Sequence, residues 1–176
     1  MKTLSFLICV VIIASAADAG VGFHVGRISF SGDVTDRCSG EIETSMLYGA
    51  SYELGLFPMI DLEGGLEYVN SHLGLSPGCD LGNPGVSAYS LYGRASVPFI
   101  STIIAKLYVG GGISYWWFNA SKIEISSRTG YDVIVGLCTT LPASPLNGYI
   151  ELRYQSLSGD TKLTTKSAYV GLVFSL

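Results

Sequence analysis

Ionisable side chains are scarce in this chain, and their spacing is its first clue to chemistry. Charged residues make up 14% of the 176 positions, against about 25% in an ordinary soluble domain. Glu53, Glu63, Glu67, Arg94, Lys106, Asp132, Glu151 and Arg153 each stand between apolar or small neighbours, with Asp61 in the same series. Side chains of an extended strand alternate between two faces, so this spacing gathers the charges on one side of a set of ribbons. Such a polar face can line an ion pathway, act as a gate, or neutralise itself as a structural polar core. Isolated charges away from water are costly, so pairing and hydrogen bonding are expected. The structural reading is favoured, because a small closed barrel leaves room only for side chains.

Nucleophilic and metal chemistry find less support. The histidines are His24 and His72, the latter following Ser71 in Asn70-Ser71-His72. A hydrolase needs nucleophile, base and acid within hydrogen-bond reach. No paired strand motif supplies them, and a histidine at a loop base or interface is the expectation, with no enzymatic activity. Neither the histidines nor the cysteines have metal-ligand spacing, and no cofactor is expected. Cys38 and Cys79 fall in the first two long connections. An oxidising compartment makes them a candidate disulfide, although geometry decides whether they reach one another. Cys138 lies within a strand as a small packing residue. The net charge is −4 with no basic run, which excludes a nucleic-acid surface.

The elements that must carry these residues are strands. In residues 44–57 the apolar or aromatic Met46, Tyr48, Ala50, Tyr52, Leu54 and Leu56 alternate with Ser45, Leu47, Gly49, Ser51, Glu53 and Gly55. Repeating the reading predicts eight strands, over 21–31, 45–57, 60–69, 87–97, 104–117, 130–140, 149–157 and 166–176. In the first, Phe23 and Val25 suggest one parity and Ile28 and Phe30 the other, which a bulge near Gly26 would reconcile. Segments 32–44, 70–86, 118–129 and 158–165 are long, polar connections; those near Pro58, 98–103 and 141–147 are shorter. Long outer loops, short inner turns and an even strand count are the scheme of bacterial outer-membrane barrels.

The beginning of the chain agrees. Lys2, the apolar run from Leu4 to Ile13, and the small-residue sites Ala14-Ser15-Ala16 and Ala17-Asp18-Ala19 have the form of a secretion signal. Residues 1–19 are read as a signal peptide and 20–176 as one barrel domain. The apolar run is short for a spanning helix, which needs about 20 residues.

Lipid, rather than water, suits the two faces. A soluble β-domain would turn the apolar face into a core and place many Lys, Glu and Thr on the other. Here the second face is rich in Gly and Ser with scattered charges, which fits the cramped interior of a small barrel. Tyr48, Tyr68, Tyr89, Tyr115, Trp116, Trp117 and Tyr131 fall near the loop ends, and Phe57, Phe99 and Phe174 near the opposite rim, as two interfacial girdles would.

The stretches LGLFPMIDLEGGLEY, LYGRASVPF, AKLYVGGGISYWW, YIELRYQSL and SAYVGLVFSL resemble the small outer-membrane β-barrel family that includes OmpX, Ail and the OmpA transmembrane domain. The resemblance covers residues 20–176 and is one of pattern. It implies an all-β, eight-stranded antiparallel transmembrane barrel in an up-and-down meander, located in the cell outer membrane as a monomer. It also implies recognition of the last strand by the barrel-assembly machinery through Val170, Leu172, Phe174 and Leu176, the terminal Leu replacing the usual aromatic. Members serve as adhesins, anchors, narrow channels or, in some cases, enzymes. A structural or adhesin-like role carried by four extracellular loops is expected, with outer-membrane lipid and a surface ligand as partners. The alternatives are a narrow channel, a lipid-A-modifying hydrolase and a soluble secreted ligand-binding β-barrel.

Overall fold

A computed structural model of the chain describes residues 18–32, 40–57, 59–75, 84–121, 125–141, 144–159 and 162–176. These form nine strands: β1 (Asp18–Gly32), β2 (Gly40–Ile42), β3 (Ser45–Phe57), β4 (Ile60–Leu75), β5 (Gly85–Ser101), β6 (Ala105–Ala120), β7 (Arg128–Thr140), β8 (Leu146–Ser158) and β9 (Leu163–Ser175). Eight of them close into a ring in which each strand pairs antiparallel with its chain neighbour and β9 returns to β1. Closure leaves no open edge, the condition for strands to survive in lipid. The short β2 pairs with the far end of β4, from Leu73 to Leu75, and extends the wall where β3 stops.

Both chain ends of the barrel share one rim with the connections at 58–59, 102–104 and 141–145, and the longer connections share the other. Ring strands are 13 to 17 residues long, more than the ~9–11 a tilted strand needs to cross lipid. The ladders therefore continue into segments whose polarity suggested loops. Asn70, Ser71 and His72 belong to β4, paired with β5. A ladder satisfies each backbone group it adds, which outweighs weak strand propensity.

The faces sort as alternation requires. Phe23, Tyr48, Leu66, Leu91, Ile113, Val133, Ile150 and Leu172 lie on the outside, 50 to 64% exposed. This belt circles the barrel on every ring strand. Water-soluble monomers rarely expose so extensive an apolar surface; lipid is the solvent that suits it. The soluble-carrier alternative required the opposite assignment, with these residues lining a cavity.

The first strand departs from expectation. Its register is unbroken against β3 from Asp18 to Ile28 and against β9 from Gly20 to Gly32, so there is no bulge near Gly26. Bulges occur instead at Gly55/Phe57 and Pro98/Ile100. Phe23 and Val25 face outward, while Ile28 and Phe30 face inward and are buried. The parity conflict was an artefact of assuming a polar interior throughout. Gly26 serves close packing: a Cβ there would sit 2.3 Å from the Tyr169 Cβ. Trp116 is a second correction. It does not join the girdle; it points inward with no exposed surface, while Tyr115 and Trp117 stay on the outside.

Candidate functional site

The barrel interior holds most of the ionisable residues singled out by spacing, and it is built in three zones. Toward the longer connections the lumen is apolar. Ile28, Phe30, Leu47, Val69, Leu73, Val86, Leu157 and Leu163 pack around Trp116, capped by Ile42 of β2 and Ile125. Phe30 meets the Trp116 ring edge-on at 6.0 Å between centroids. The Trp116 indole N–H donates to Gln155 Oε1 at 3.0 Å, and the Gln155 amide donates to Ser114 Oγ at 2.6 Å. A fully buried indole thus keeps its polar atom satisfied.

Below this cluster lies an ionic layer. Arg94 Nη1 donates to Glu151 Oε1 at 2.5 Å and to the Tyr169 hydroxyl at 2.6 Å. Tyr169 itself donates to Glu151, and Tyr108 donates to the other Glu151 oxygen at 2.9 Å. The Arg94 guanidinium also lies 4.0 Å over the Tyr92 ring, whose hydroxyl donates to Glu63 at 2.6 Å. Arg153 meets both oxygens of Glu67, at 2.8 Å and 3.0 Å, and its Nε donates to Ser167 at 3.2 Å. Arg94 lies 3.7 Å from Glu63 and 3.8 Å from Glu67, which joins the two centres. Buried ions need partners of this density to offset lost hydration.

His24 completes the layer. Its Nε2 is 3.3 Å from Glu67, its Nδ1 is 3.2 Å from the Tyr149 hydroxyl, and its ring stacks on Tyr169 at 4.8 Å. Neighbouring glycines make room for these rings. A Cβ on Gly49 would come within 2.1 Å of His24, one on Gly136 within 2.2 Å of Tyr108, and one on Gly171 within 2.4 Å of Tyr149. The small residues of the inward face are thus the sockets of the large ones on the next strand.

The third zone is a vestibule of about 380 Å³ at the rim that carries the chain ends, lined by Glu53, Asp61, Glu63, Lys106, Tyr108 and Tyr149 among others. Lys106 pairs with Asp61 at 3.1 Å, with about two fifths of each side chain exposed. Tyr108 and Tyr149 form its floor against the ionic layer.

Of the residues predicted for an interior network, Glu63, Glu67, Arg94, Glu151 and Arg153 meet in one connected cluster. Lys106 stands apart with Asp61, and Glu53 lines the vestibule without an ion pair among the described residues. Asp132 is buried, yet neither carboxylate oxygen has a hydrogen-bond partner among the described residues. Sequence reasoning missed His24, Tyr92, Tyr108, Tyr149 and Tyr169 as network members. The inward parity of the four tyrosines was the available signal. Val170, Leu172, Phe174 and Leu176 face outward. Cys38 and Cys79 lie outside the described residues. Cys138 is a half-buried free thiol beside the vestibule.

Among the described residues, Ser71 and His72 are not placed as nucleophile and base. The Ser71 hydroxyl is buried and donates to the Glu43 carbonyl at 2.8 Å, whereas His72 is exposed on the opposite face. Adjacent strand residues diverge in this way by construction. Among the described residues no group of His, Cys, Asp and Glu is placed to hold a metal.

No protein-family model matches the chain, and no curated protein matches its sequence. Solved structures do match its shape. The outer membrane protein OprG from Pseudomonas aeruginosa aligns with a TM-score of 0.72 at 12% identity, over 92% of this chain and 97% of that one. Neisserial surface protein A aligns with a TM-score of 0.66 at 13% identity, over 89% and 96%. Ail, the attachment invasion locus protein of Yersinia pestis, solved with the heparin analogue sucrose octasulfate, aligns with a TM-score of 0.58 at 13% identity, over 90% and 98%. The likeness is one of fold. With the closed ring and the apolar belt, the fold of this chain is that of an outer-membrane β-barrel.

Proposed function

We propose that this barrel is a sealed anchor whose work is done at the cell surface, in a structural or adhesin-like role carried by its four outer connections. The observation that carries the reading is the filled interior. From the vestibule floor outward, the ionic layer and the apolar cluster around Trp116 occupy the lumen, and the largest interior side chains have almost no accessible surface. A narrow channel needs a continuous wet path past Arg94, and Arg94 is held by Glu151 and Tyr169. A hydrolase needs a nucleophile beside a free base; both His24 nitrogens are engaged, and His72 faces away from Ser71. The reading therefore carries no catalytic step and no cofactor. A monomer inserted through its C-terminal strand by the barrel-assembly machinery fits the outward row of Val170, Leu172, Phe174 and Leu176.

The connections also suggest a class of partner. Segments 33–44, 76–84, 121–127 and 159–162 carry seven acidic residues against three basic ones. A sulfated polyanion of the kind bound to Ail is poorly matched to that charge. A neutral or cationic surface is better matched.

The test replaces 33–39 and 76–83 separately with short Gly-Ser turns in the full chain. Folding is checked by the heat-dependent gel mobility typical of intact barrels. Whole cells are then assayed for adherence to cationic and sulfated surfaces and for detergent resistance, while purified protein is examined in planar bilayers. Loss of adherence or of envelope integrity in folded variants, without conductance, is the expected result. Unchanged adherence and integrity, or a steady conductance of the parent protein, overturns the reading.

A further inference from the structure

The outer wall of the barrel carries a feature that the loops and the lumen do not use. At the rim near the longer connections, the outward positions of six consecutive ring strands are aromatic. Tyr48 of β3 pairs with Tyr68 of β4, Tyr68 with Tyr89 of β5, and Tyr89 with Trp117 of β6; Tyr131 of β7 and Tyr154 of β8 continue the girdle. On the two remaining strands the girdle is replaced by cations. Lys166 of β9 pairs with Tyr154, and Arg27 of β1 pairs with Met46, two residues before Tyr48.

Arg27 pairs with Ala168 and Ser29 pairs with Lys166, so the two cations are diagonal neighbours, about 7–8 Å apart at the backbone. Both are exposed on the lipid-facing side, and neither forms an ion pair with any described residue. Cations on that face are unfavourable toward the bilayer centre and tolerated near the interface. Two like charges held this close, with no described carboxylate paired to them, are suited to an anion.

Beside them the wall carries an open depression. A groove of about 650 Å³ runs across β7, β8, β9 and β1. Its inner part is apolar, formed by Val133, Val135, Leu152 and the small Ala168; its outer end carries Lys166, Arg27 and Tyr154. The order of groups, apolar toward the membrane centre and cationic at the rim, mirrors a phosphorylated, acylated lipid standing in the outer leaflet.

We infer that this groove is a specific site for a phosphorylated glycolipid of the lipid A class. Arg27 and Lys166 clamp one phosphate, and an acyl chain lies over Ala168. Phosphate binds such a pair through charge-assisted hydrogen bonds, and the long stems of both residues let the charged ends reach the headgroup layer. The inference is independent of what the loops bind.

The test uses the full mature protein folded in detergent micelles and bis-phosphorylated lipid A as the probe, with retention read by native mass spectrometry. The parent should retain one lipid A per barrel in preference to its dephosphorylated form. The double variant Arg27→Gln, Lys166→Gln should bind about thirtyfold more weakly, since each surface cation contributes ~1 kcal/mol toward an anionic lipid and 1.4 kcal/mol is tenfold. Ala168→Phe keeps both charges, fills the groove, and should also weaken retention about tenfold or more. All three positions face outward, so heat-dependent gel mobility should stay that of the folded parent. The single variants Arg27→Gln and Lys166→Gln serve if the double variant does not fold. Undiminished retention in the charge variants, equal retention of dephosphorylated lipid A, or full retention by Ala168→Phe would overturn the site. Displacement by inorganic phosphate alone would reassign it to a free anion and refute the lipid.

Discussion

Replacing Glu67 by Gln puts the sealed lumen to its sharpest test. Glu67 is the sole carboxylate within ion-pair distance of Arg153 among the described residues, at 2.8 Å, and both side chains have no exposed surface. Arg94 would keep Glu151 at 2.5 Å and Glu63 at 3.7 Å, so the uncompensated charge after substitution is that of Arg153. Removing one partner of a buried pair costs ~3–5 kcal/mol, because the remaining ion stays desolvated without its counter-charge. With a urea dependence of ~1–3 kcal/mol per molar, the unfolding midpoint in lipid vesicles should fall by roughly 1–5 M. The gel mobility of the folded barrel gives the readout. Asp61→Asn is the internal comparison. Its pair with Lys106 is about two fifths exposed, and pairs in water contribute ~0–1 kcal/mol. Adding Arg153→Met to Glu67→Gln removes the stranded charge, so the double variant should be more stable than the sum of the singles predicts. If Glu67→Gln costs no more than Asp61→Asn, the layer is hydrated and the argument for a closed lumen fails.

Three further outcomes follow from the same structure. Trp116→Ala should cost ~3–5 kcal/mol by opening a cavity in the apolar zone, seen as a lowered urea midpoint; an unchanged midpoint would mean the indole is not buried. Gly49→Ala should be destabilising by ~1–3 kcal/mol, since its methyl would meet the His24 ring at 2.1 Å. Gly85→Ala, which meets nothing within 4 Å, should stay within ~0.5 kcal/mol of the parent, and equal effects at the two glycines would contradict the packing described. Signal cleavage should fall after Ala16 rather than after Ala19. Asp18 and Ala19 already pair in β1 with Gly55 and Leu54, and the Ala19 carbonyl accepts the Leu176 N–H at 2.8 Å. N-terminal sequencing of the outer-membrane form checks this, and a mature chain beginning at Gly20 would refute it.

Much of the architecture is legible in the sequence. Alternation in 44–57 and its repeats identified the ring strands, the lipid-facing side and the inward position of Glu67, Arg94, Glu151 and Arg153. Side-chain parity is a property of two adjacent residues, so a short window contains it. Three features resisted that reading. The run Tyr115-Trp116-Trp117-Phe118 is aromatic at both parities, so Trp116 reads with the girdle although it shares the inward parity of Ser114. Ile28 and Phe30 looked like a change of face because the interior was expected to be polar along its whole length. His24 gave no local sign that it would lie between Glu67 and Tyr149, 43 and 125 residues away.

The sequence by itself determined the strands, their two faces, and the choice of lipid over water, because each follows from the period of apolar residues along the chain. Only the tertiary structure decided which inward side chains meet across the lumen, where the apolar zone gives way to the ionic layer, and which outward cations stand beside a groove. Those depend on the register with which β9 closes onto β1. Register is set by all the pairings around the ring together, and shifting it by one residue would turn each affected side chain to the other face.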